Sequence, residues 1–204
     1  MKIAFDIDGV VLKSIEIILD HINKVTGRCL VPDDLFCWDL EPLGLDLGTL
    51  RDAVNYMYSQ KMIEPYAGAL KALSRIHRTT GEPLLFITGR AMPETAQRQL
   101  EALPWNPTVP KMIVTGGNRD KRHYLSREQV DFIVEDDVEY VKDYLDAGIG
   151  VGLMVQPWNR NSKLPVSERF QGWQDLEQWF LRLSSEGPTD LRGKNGPQVG
   201  QGIG

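Results

Sequence analysis

Short apolar runs alternate along the chain with segments that have the periodicity of amphipathic helices. The apolar runs are rich in branched and aromatic residues and predict five buried strands, at 3–5, 83–88, 112–114, 132–134 and 151–155. The helical patterns lie between or after them, at 67–78, 93–103, 138–147 and 173–183. Because strands and helices that alternate in this way are joined by right-handed crossovers, we expect an α/β fold with a doubly wound parallel sheet.

One long segment interrupts this alternation. Between residues 14 and 65 the sequence shows helical patterns, at 15–25 and 50–61, but no convincing strand. An insertion of this length directly after the first strand is most simply a small helical cap over a binding site. The alternative is that its helices only pack against the sheet.

The pattern divides the chain into three parts. We expect a core of residues 1–13 and 66–183, and a cap of residues 14–65. The remaining residues, 184–204, are rich in glycine, proline, serine and other polar residues, and have little to bury. We predict that they form a disordered tail.

Composition narrows the classes of partner. The net charge of −5 argues against binding of long nucleic acid, although it allows a small phosphate ester whose charge a divalent cation offsets. No apolar stretch is long enough to span a membrane, so no membrane partner is expected. With only two cysteines and no disulfide framework, a reduced, cytoplasmic setting is expected. The sequence does not predict the oligomeric state.

Two carboxylates follow the first predicted strand. Asp6 and Asp8 lie where that strand ends, and Gly9 lets the backbone turn closely around a ligand there. In open α/β sheets, ligands bind at the carboxyl ends of the strands. Since an unpaired buried carboxylate is costly, two of them at this edge indicate a binding site.

Polar residues of complementary kinds follow two further strands. They are Thr88, Gly89 and Arg90 after one strand, Glu135, Asp136 and Asp137 after another, and Lys121 between the two. All parallel strands end at one edge, so these groups are expected to meet the two aspartates. Together they offer carboxylates for a hard cation, and hydroxyl, N–H and cationic groups for an anion.

The order Asp-x-Asp-Gly, Thr-Gly-Arg, Lys and Glu-Asp-Asp resembles the haloacid dehalogenase (HAD) superfamily of aspartate-based phosphatases. The resemblance covers residues 2 to about 160. Within it, the chain looks like the 5′(3′)-deoxyribonucleotidase group and its bacterial relatives. That narrower likeness depends on the segments 23–27, 38–40, 63–69 and 156–160. The resemblance implies a HAD-like Rossmannoid core with a cap after the first strand.

The resemblance also implies roles for the two aspartates. Asp6 would be the nucleophile that forms an aspartyl-phosphate. Asp8 would protonate the leaving group and then activate water as a base. The dehalogenases of the superfamily lack this second aspartate, so Asp8 favours phosphoryl chemistry.

The other groups would bind metal and phosphate. Asp6, the main-chain carbonyl of Asp8 and the Asp136 side chain would hold Mg²⁺, and Glu135 is the second of the paired acids. Thr88, the N–H of Gly89 and Lys121 would hold the transferring phosphoryl group.

Three features leave alternatives open. Gly89-Arg90 is unusual for the nucleotidase group, so Arg90 is expected to add a phosphate or substrate contact. Asp137 is either a helix N-cap, which we favour, or a residue that supports the metal ligands. The aromatic residues of the insertion could form a surface for a base, but core packing is favoured for each; they are Phe36, Trp38, Tyr56 and Tyr58.

The sequence therefore predicts a Mg²⁺-dependent phosphohydrolase that acts on a small phosphate monoester. The leading substrate is a nucleoside 5′-monophosphate. The alternatives are a phosphatase for a sugar phosphate or another metabolite, and a catalytically silent phosphate-binding module on the same fold.

Overall fold

A computed structural model of the protein describes residues 1–37, 40–104 and 110–186. The described part of the chain contains six strands: β1 (Ile3–Phe5), β2 (Leu85–Thr88), β3 (Lys111–Val114), β4 (Phe132–Glu135), β5 (Gly150–Met154) and β6 (Glu168–Phe170). It also contains seven α-helices: α1 (Ser14–Thr26), α2 (Leu47–Ser59), α3 (Ala69–Thr80), α4 (Pro93–Glu101), α5 (Arg122–Arg127), α6 (Val141–Asp146) and α7 (Trp173–Glu186). Short 3₁₀ helices occupy Pro32–Asp34 and Glu41–Leu43.

The strands form one parallel sheet in the order β3-β2-β1-β4-β5-β6. The chain runs from β1 to β2 and β3 on one side, then returns to β4 on the other side of β1. In the register, Phe5 lies opposite Phe86 on β2 and Val134 on β4. The doubly wound parallel α/β sheet is therefore confirmed, and the strand order reverses between β1 and β4. The carboxyl ends of β1, β2 and β4 are neighbours at that point.

Side chains alternate between the two faces of the sheet because successive residues of a strand point in opposite directions. Phe5 belongs to the hydrophobic cluster on the face covered by α1, α3, α4 and α7. Its neighbour Ala4 belongs to the cluster on the opposite face, beneath α5 and α6. The Phe5 ring lies 6.0 Å from that of Phe86 and 5.8 Å from that of Trp173, between centroids. Burial of both faces explains why the strands are continuous apolar runs.

The insertion between β1 and β2 leaves and rejoins the core at one place. Leu12 and Pro65 form an antiparallel bridge. Beside it, the Lys13 N–H donates to the Glu64 carbonyl at 3.0 Å, and the Tyr66 N–H donates to the Val11 carbonyl at 2.9 Å. Helices α1 and α2 contact each other, and their buried side chains join the same cluster as the sheet face below them. The described residues between 14 and 65 contain no strand.

Several elements differ from the sequence-based expectation. Strand β6 and helix α5 were not predicted, since each is too short to show a period. Helix α7 continues to Glu186, so the first three residues of the predicted tail are helical. The remainder of that tail, 187–204, lies outside the described residues, as does the 38–39 part of the resemblance segment 38–40. None of the helices described is long and apolar enough to cross a membrane.

Candidate active site

The sequence-predicted site residues come together where β1, β2 and β4 end. Asp6 extends the pairing of β1 with β4 by one residue, because its N–H donates to the Val134 carbonyl at 2.9 Å. Thr88 ends β2 and Glu135 ends β4, while Lys121 directly precedes α5. All four side chains are buried. Residues at or after the ends of four successive strands, β1 to β4, thus converge on one edge of the sheet.

Lys121 bridges two of the buried acids. Its Nζ lies 2.8 Å from Asp6 Oδ1 and 2.8 Å from Glu135 Oε1. Burial alone would lower the pKa of Lys121, but the charges of Asp6 and Glu135 raise it well above its usual range. Burial likewise raises the pKa of Asp6 well above its usual range, against the opposing effect of Lys121. Lys121 is therefore held as a cation between the two acids.

Asp136 presents an oxygen without a partner. Its Oδ2 accepts a hydrogen bond of 2.9 Å from Trp158 Nε1, whereas its buried Oδ1 has no hydrogen-bond partner among the described residues. Carboxylate oxygens of Asp6, Glu135 and Asp136 lie within 4.8 Å of one another. Burial, and then the charges of Glu135 and Asp6, raise the pKa of Asp136 well above its usual range. Such a concentration of buried carboxylate oxygens fits a hard cation such as Mg²⁺.

Glu135 contacts Lys121 and also belongs to the group of three acids. Both of its carboxylate oxygens already have donors, since Oε2 accepts the Asp136 N–H at 3.2 Å and Oε1 accepts Lys121. The Asp8 side chain lies outside the group of three acids. Its predicted metal contact is through the main-chain carbonyl, which leaves the carboxylate free for another role.

The loop after β5 supports the part of the site that contains Asp136. Asn159 Nδ2 donates to the Asp136 carbonyl at 2.9 Å and to the Met154 carbonyl at 2.8 Å. Gln156 Nε2 donates to the Gly9 carbonyl at 2.6 Å. Gly9 has φ +75°, and a Cβ there would collide with Asp136 Oδ2. Segment 156–160, noted in the sequence, therefore acts by holding the chain around Asp136.

Arg90 forms a bidentate ion pair with Asp8. Arg90 Nε donates to Asp8 Oδ2 at 2.8 Å and Nη2 donates to Oδ1 at 2.6 Å. The Ser14 hydroxyl also donates to Oδ1, and Thr88 Oγ1 lies 3.5 Å from Oδ2. Burial alone would raise the pKa of Asp8, but the charge and hydrogen bonds of Arg90, together with Ser14, lower it. Asp8 is thus an ionised carboxylate, and Arg90, expected to contact phosphate, has Asp8 as its charged partner.

Gln99 on α4 completes this arrangement and was missed by the sequence reasoning. Its Oε1 accepts a hydrogen bond of 2.6 Å from Arg90 Nη1. Its Nε2 donates to the carbonyls of Met57 and Gln60, at 2.9 Å each. A glutamine in an amphipathic helix gives no sequence signal of this kind, because only the packing of α4 against the end of α2 buries it.

A cavity of about 200 Å³ lies between the sheet edge and the insertion. Its polar floor contains Asp6, Asp8, Ser14, Thr88, Gly89, Arg90 and Lys121. Its apolar wall comes from α1 and α2, through Ile18, Val54, Met57 and Tyr58. Charged groups therefore meet a ligand from one side and apolar groups from the other.

Asp137 stands at the rim and does not cap a helix. Its Oδ2 accepts hydrogen bonds from Arg119 Nε and Nη2, at 3.1 and 2.7 Å, and its Oδ1 accepts the Glu139 N–H at 3.0 Å. Helix α6 begins only at Val141, after Tyr140 at the N-cap position. The favoured N-cap prediction is wrong because a turn, ordered by Arg119, separates the acidic run from the helix.

The aromatic residues of the insertion do not behave alike. Phe36 is 68% exposed, and Tyr56 is 41% exposed and stacks on His21 with ring centroids 4.4 Å apart. The prediction of core packing is wrong for these two. Tyr58 lines the cavity, and the Arg90 guanidinium carbon lies 5.5 Å from its ring centroid. Trp38 lies outside the described residues.

Comparison with known proteins identifies the fold. No protein-family profile matches the sequence, and no curated protein matches it. Among solved structures, a haloacid dehalogenase-like protein from Agrobacterium tumefaciens superposes with a TM-score of 0.63 at 15% identity, over 88% of this chain and 97% of that one. The HAD-hydrolase YfnB from Bacillus subtilis, bound to magnesium, gives 0.59 at 14% identity, over 88% and 97%.

An L-2-haloacid dehalogenase has a TM-score of 0.55 at 11% identity, over 89% of this chain and 99% of that one. At such low identities these similarities show the fold alone. The chain has the α/β fold of the haloacid dehalogenase-like hydrolases, and the superfamily resemblance seen in the motifs agrees with it. The similar solved structures include a dehalogenase, and a shared fold does not determine the reaction.

Proposed function

We propose that this protein is a Mg²⁺-dependent phosphohydrolase that removes phosphate from a small monoester through an aspartyl-phosphate on Asp6. The observation that carries this proposal is the second carboxylate, Asp8, which faces the same cavity as Asp6. Hydrolysis of a phosphate ester requires a group that protonates the leaving alkoxide, and displacement of a halide does not. Asp8 supports phosphatase rather than dehalogenase chemistry for this reason.

The reaction divides into two displacements. In the first, an Asp6 carboxylate oxygen attacks phosphorus, the bond to the ester oxygen breaks, and protonated Asp8 gives its proton to that oxygen. The phosphate dianion favours the protonated form of Asp8, since nearby like charge raises the pKa of a carboxyl group. In the second, water attacks phosphorus, its proton passes to Asp8, and the bond to Asp6 breaks.

The remaining residues would stabilise the charge on the phosphoryl group. Lys121 and the hydroxyl of Thr88 face the cavity together with Gly89, whose N–H is a further donor. The carboxylates of Asp6 and Asp136 and the main-chain carbonyl of Asp8 would hold Mg²⁺, with Glu135 positioning Lys121. The bound cation would offset the negative charge of the phosphate and of the carboxylates around it.

The insertion supports a small substrate. We take residues 14–65 as a cap on a core of residues 1–13 and 66–183, because α1 and α2 supply the cavity wall opposite the sheet edge. A partly closed cavity of about 200 Å³ suits a metabolite rather than a macromolecule. A nucleoside 5′-monophosphate is the leading substrate, whose base would meet the apolar wall. A sugar phosphate or other metabolite is the alternative.

The test is a substrate panel measured with Mg²⁺ and with EDTA. It contains nucleoside monophosphates, sugar phosphates, 4-nitrophenyl phosphate and a 2-haloacid, with phosphate or halide release as the readout. Mg²⁺-dependent phosphate release, fastest from nucleotides, is the expected result. Release from other esters alone would remove the nucleotidase assignment. Halide release, or no turnover at all, would overturn the phosphatase proposal; the latter favours a silent binding module.

Metal binding has its own readout in thermal unfolding without substrate. A ligand that binds only the folded state stabilises it by about 2.7 kcal/mol at one hundred times its dissociation constant. We expect Mg²⁺ to raise the melting temperature of the wild-type protein and to have little effect on Asp136→Asn. An equal shift in both proteins would contradict the proposed ligand set.

A further inference from the structure

A chain of hydrogen bonds joins the insertion to Asp8 through two buried side chains. Gln99 is fully buried on α4, and its Nε2 donates hydrogen bonds to the carbonyls of Met57 and Gln60 at the end of α2. Its carbonyl oxygen accepts from Arg90, and Arg90 grips both oxygens of Asp8. The amide has its donors toward carbonyl groups and its acceptor toward a cation, so its orientation is unambiguous.

These hydrogen bonds restrict the side chain of Arg90, which is otherwise flexible. Arginine has several rotatable bonds, and ordering them requires contacts at more than one nitrogen. Two nitrogens of Arg90 donate hydrogen bonds to Asp8, and the third donates to Gln99. A guanidinium group held at three nitrogens has a defined plane, and a bidentate pair transmits that plane to the carboxylate. The direction in which Asp8 presents its oxygens therefore depends on Gln99.

We propose that Gln99 is a positioning residue for the second displacement, in which it orients Asp8, through Arg90, as the base. This inference rests on the proposed function. As water attacks phosphorus, one of its protons moves to an Asp8 oxygen. The phosphorus–oxygen bond to Asp6 breaks, and its electron pair returns to the Asp6 carboxylate. Because Gln99 is fastened to the end of α2, the insertion takes part in setting this geometry.

A purely structural role for Gln99 gives a different expectation. Buried carbonyls at a helix end need donors, and Gln99 supplies them for α2. If that were its whole role, its loss would reduce stability or the fraction of active protein. The rates of both displacements would then decrease in the same proportion. A positioning role instead slows the step that depends on the base and spares the first displacement of a substrate with a good leaving group.

The experiment is rapid-mixing kinetics of 4-nitrophenyl phosphate with Mg²⁺, because nitrophenolate leaves without needing a proton. For Gln99→Leu we expect a burst of about one nitrophenolate per enzyme at the wild-type rate, followed by steady turnover roughly tenfold slower than wild type. Acid quenching should show phosphate accumulated on the protein. Gln97→Leu is the matched control, since the Gln97 amide lies on the exposed side of α4 and bonds only Glu101 among the described contacts; it should match the wild type.

Two outcomes would overturn the inference. One is a burst and a steady rate that fall in the same proportion in Gln99→Leu, and the other is unchanged kinetics. If Gln99→Leu does not fold, Gln99→Met replaces it, because methionine has a similar length and volume but lacks the N–H donors and the strong acceptor of the amide. The same burst is expected. No turnover by the wild type would instead overturn the proposed function itself.

Discussion

The sheet edge and the insertion face each other across the cavity and contribute in opposite ways. At the sheet edge, buried charges are each held by a specific partner, as Lys121 is by Asp6 and Glu135. On the insertion, the cavity wall is mainly apolar and belongs to the hydrophobic cluster that α1 and α2 share with the core. The difference teaches that the charged groups of the cavity are placed by strand ends, whereas the opposite wall of the cavity is formed by helices.

The two regions also differ in how they tolerate change. Removal of one member of a buried charge pair leaves the other uncompensated, which is strongly destabilising. Loss of a methyl group from an apolar wall costs less, and that cost depends on how well neighbours collapse. Substitutions at the sheet edge should therefore affect the chemistry severely, and loss of the shared cation Lys121 should also reduce stability, whereas substitutions on the insertion should act on substrate binding.

The largest expected effect is a loss of turnover when Asp6, at the sheet edge, is replaced. Asp6→Asn removes the nucleophile and should lower phosphate release by roughly 10³-fold or more. The fold should remain, since asparagine has nearly the same shape and the change removes like charge from Glu135 and Asp136. Turnover and thermal unfolding are measured together on the same preparation. Turnover near the wild-type rate would mean that Asp6 is not the nucleophile.

A second prediction concerns the stability of the sheet edge. Lys121→Met leaves Asp6 and Glu135 without their shared cation and should lower the free energy of unfolding by about 3 kcal/mol in EDTA. Urea unfolding provides the measurement. The double variant Lys121→Met, Glu135→Gln is the control, because it removes one of the two stranded charges and should recover part of the loss. A single variant as stable as the wild type would show that this ion pair does not hold the edge together.

The smallest effect is expected on the insertion. Val54→Ala removes part of the apolar wall and should raise KM about threefold while kcat stays unchanged, since the contact is made equally with substrate and transition state. Val25→Ala provides the control, because Val25 is exposed on α1. Initial-rate kinetics on the best substrate of the panel distinguish the two constants. A fall in kcat alone would place Val54 with the reacting groups and remove the contrast between the regions.

Much of the fold could be predicted because its signals are local. The strands β1, β2 and β4 are continuous apolar runs, and the helices between them have a clear period. Strand β6 could not be predicted, because three residues at the edge of a sheet are too few to show alternation. The end of the helical pattern at residue 183 was also misleading, since Ser184 to Glu186 continue α7 without adding apolar residues.

The sequence by itself determined the parallel α/β sheet and the position of polar residues at its strand ends. That was possible because burial on both faces and the shared edge of a parallel sheet follow from local pattern and topology. Only the tertiary structure decided the partners of those residues. Arg90 pairs with Asp8, Lys121 joins Asp6 to Glu135, and Gln99 reaches the end of α2. Such contacts join side chains far apart in the chain, and their geometry depends on how helices and strands pack, which no local pattern records.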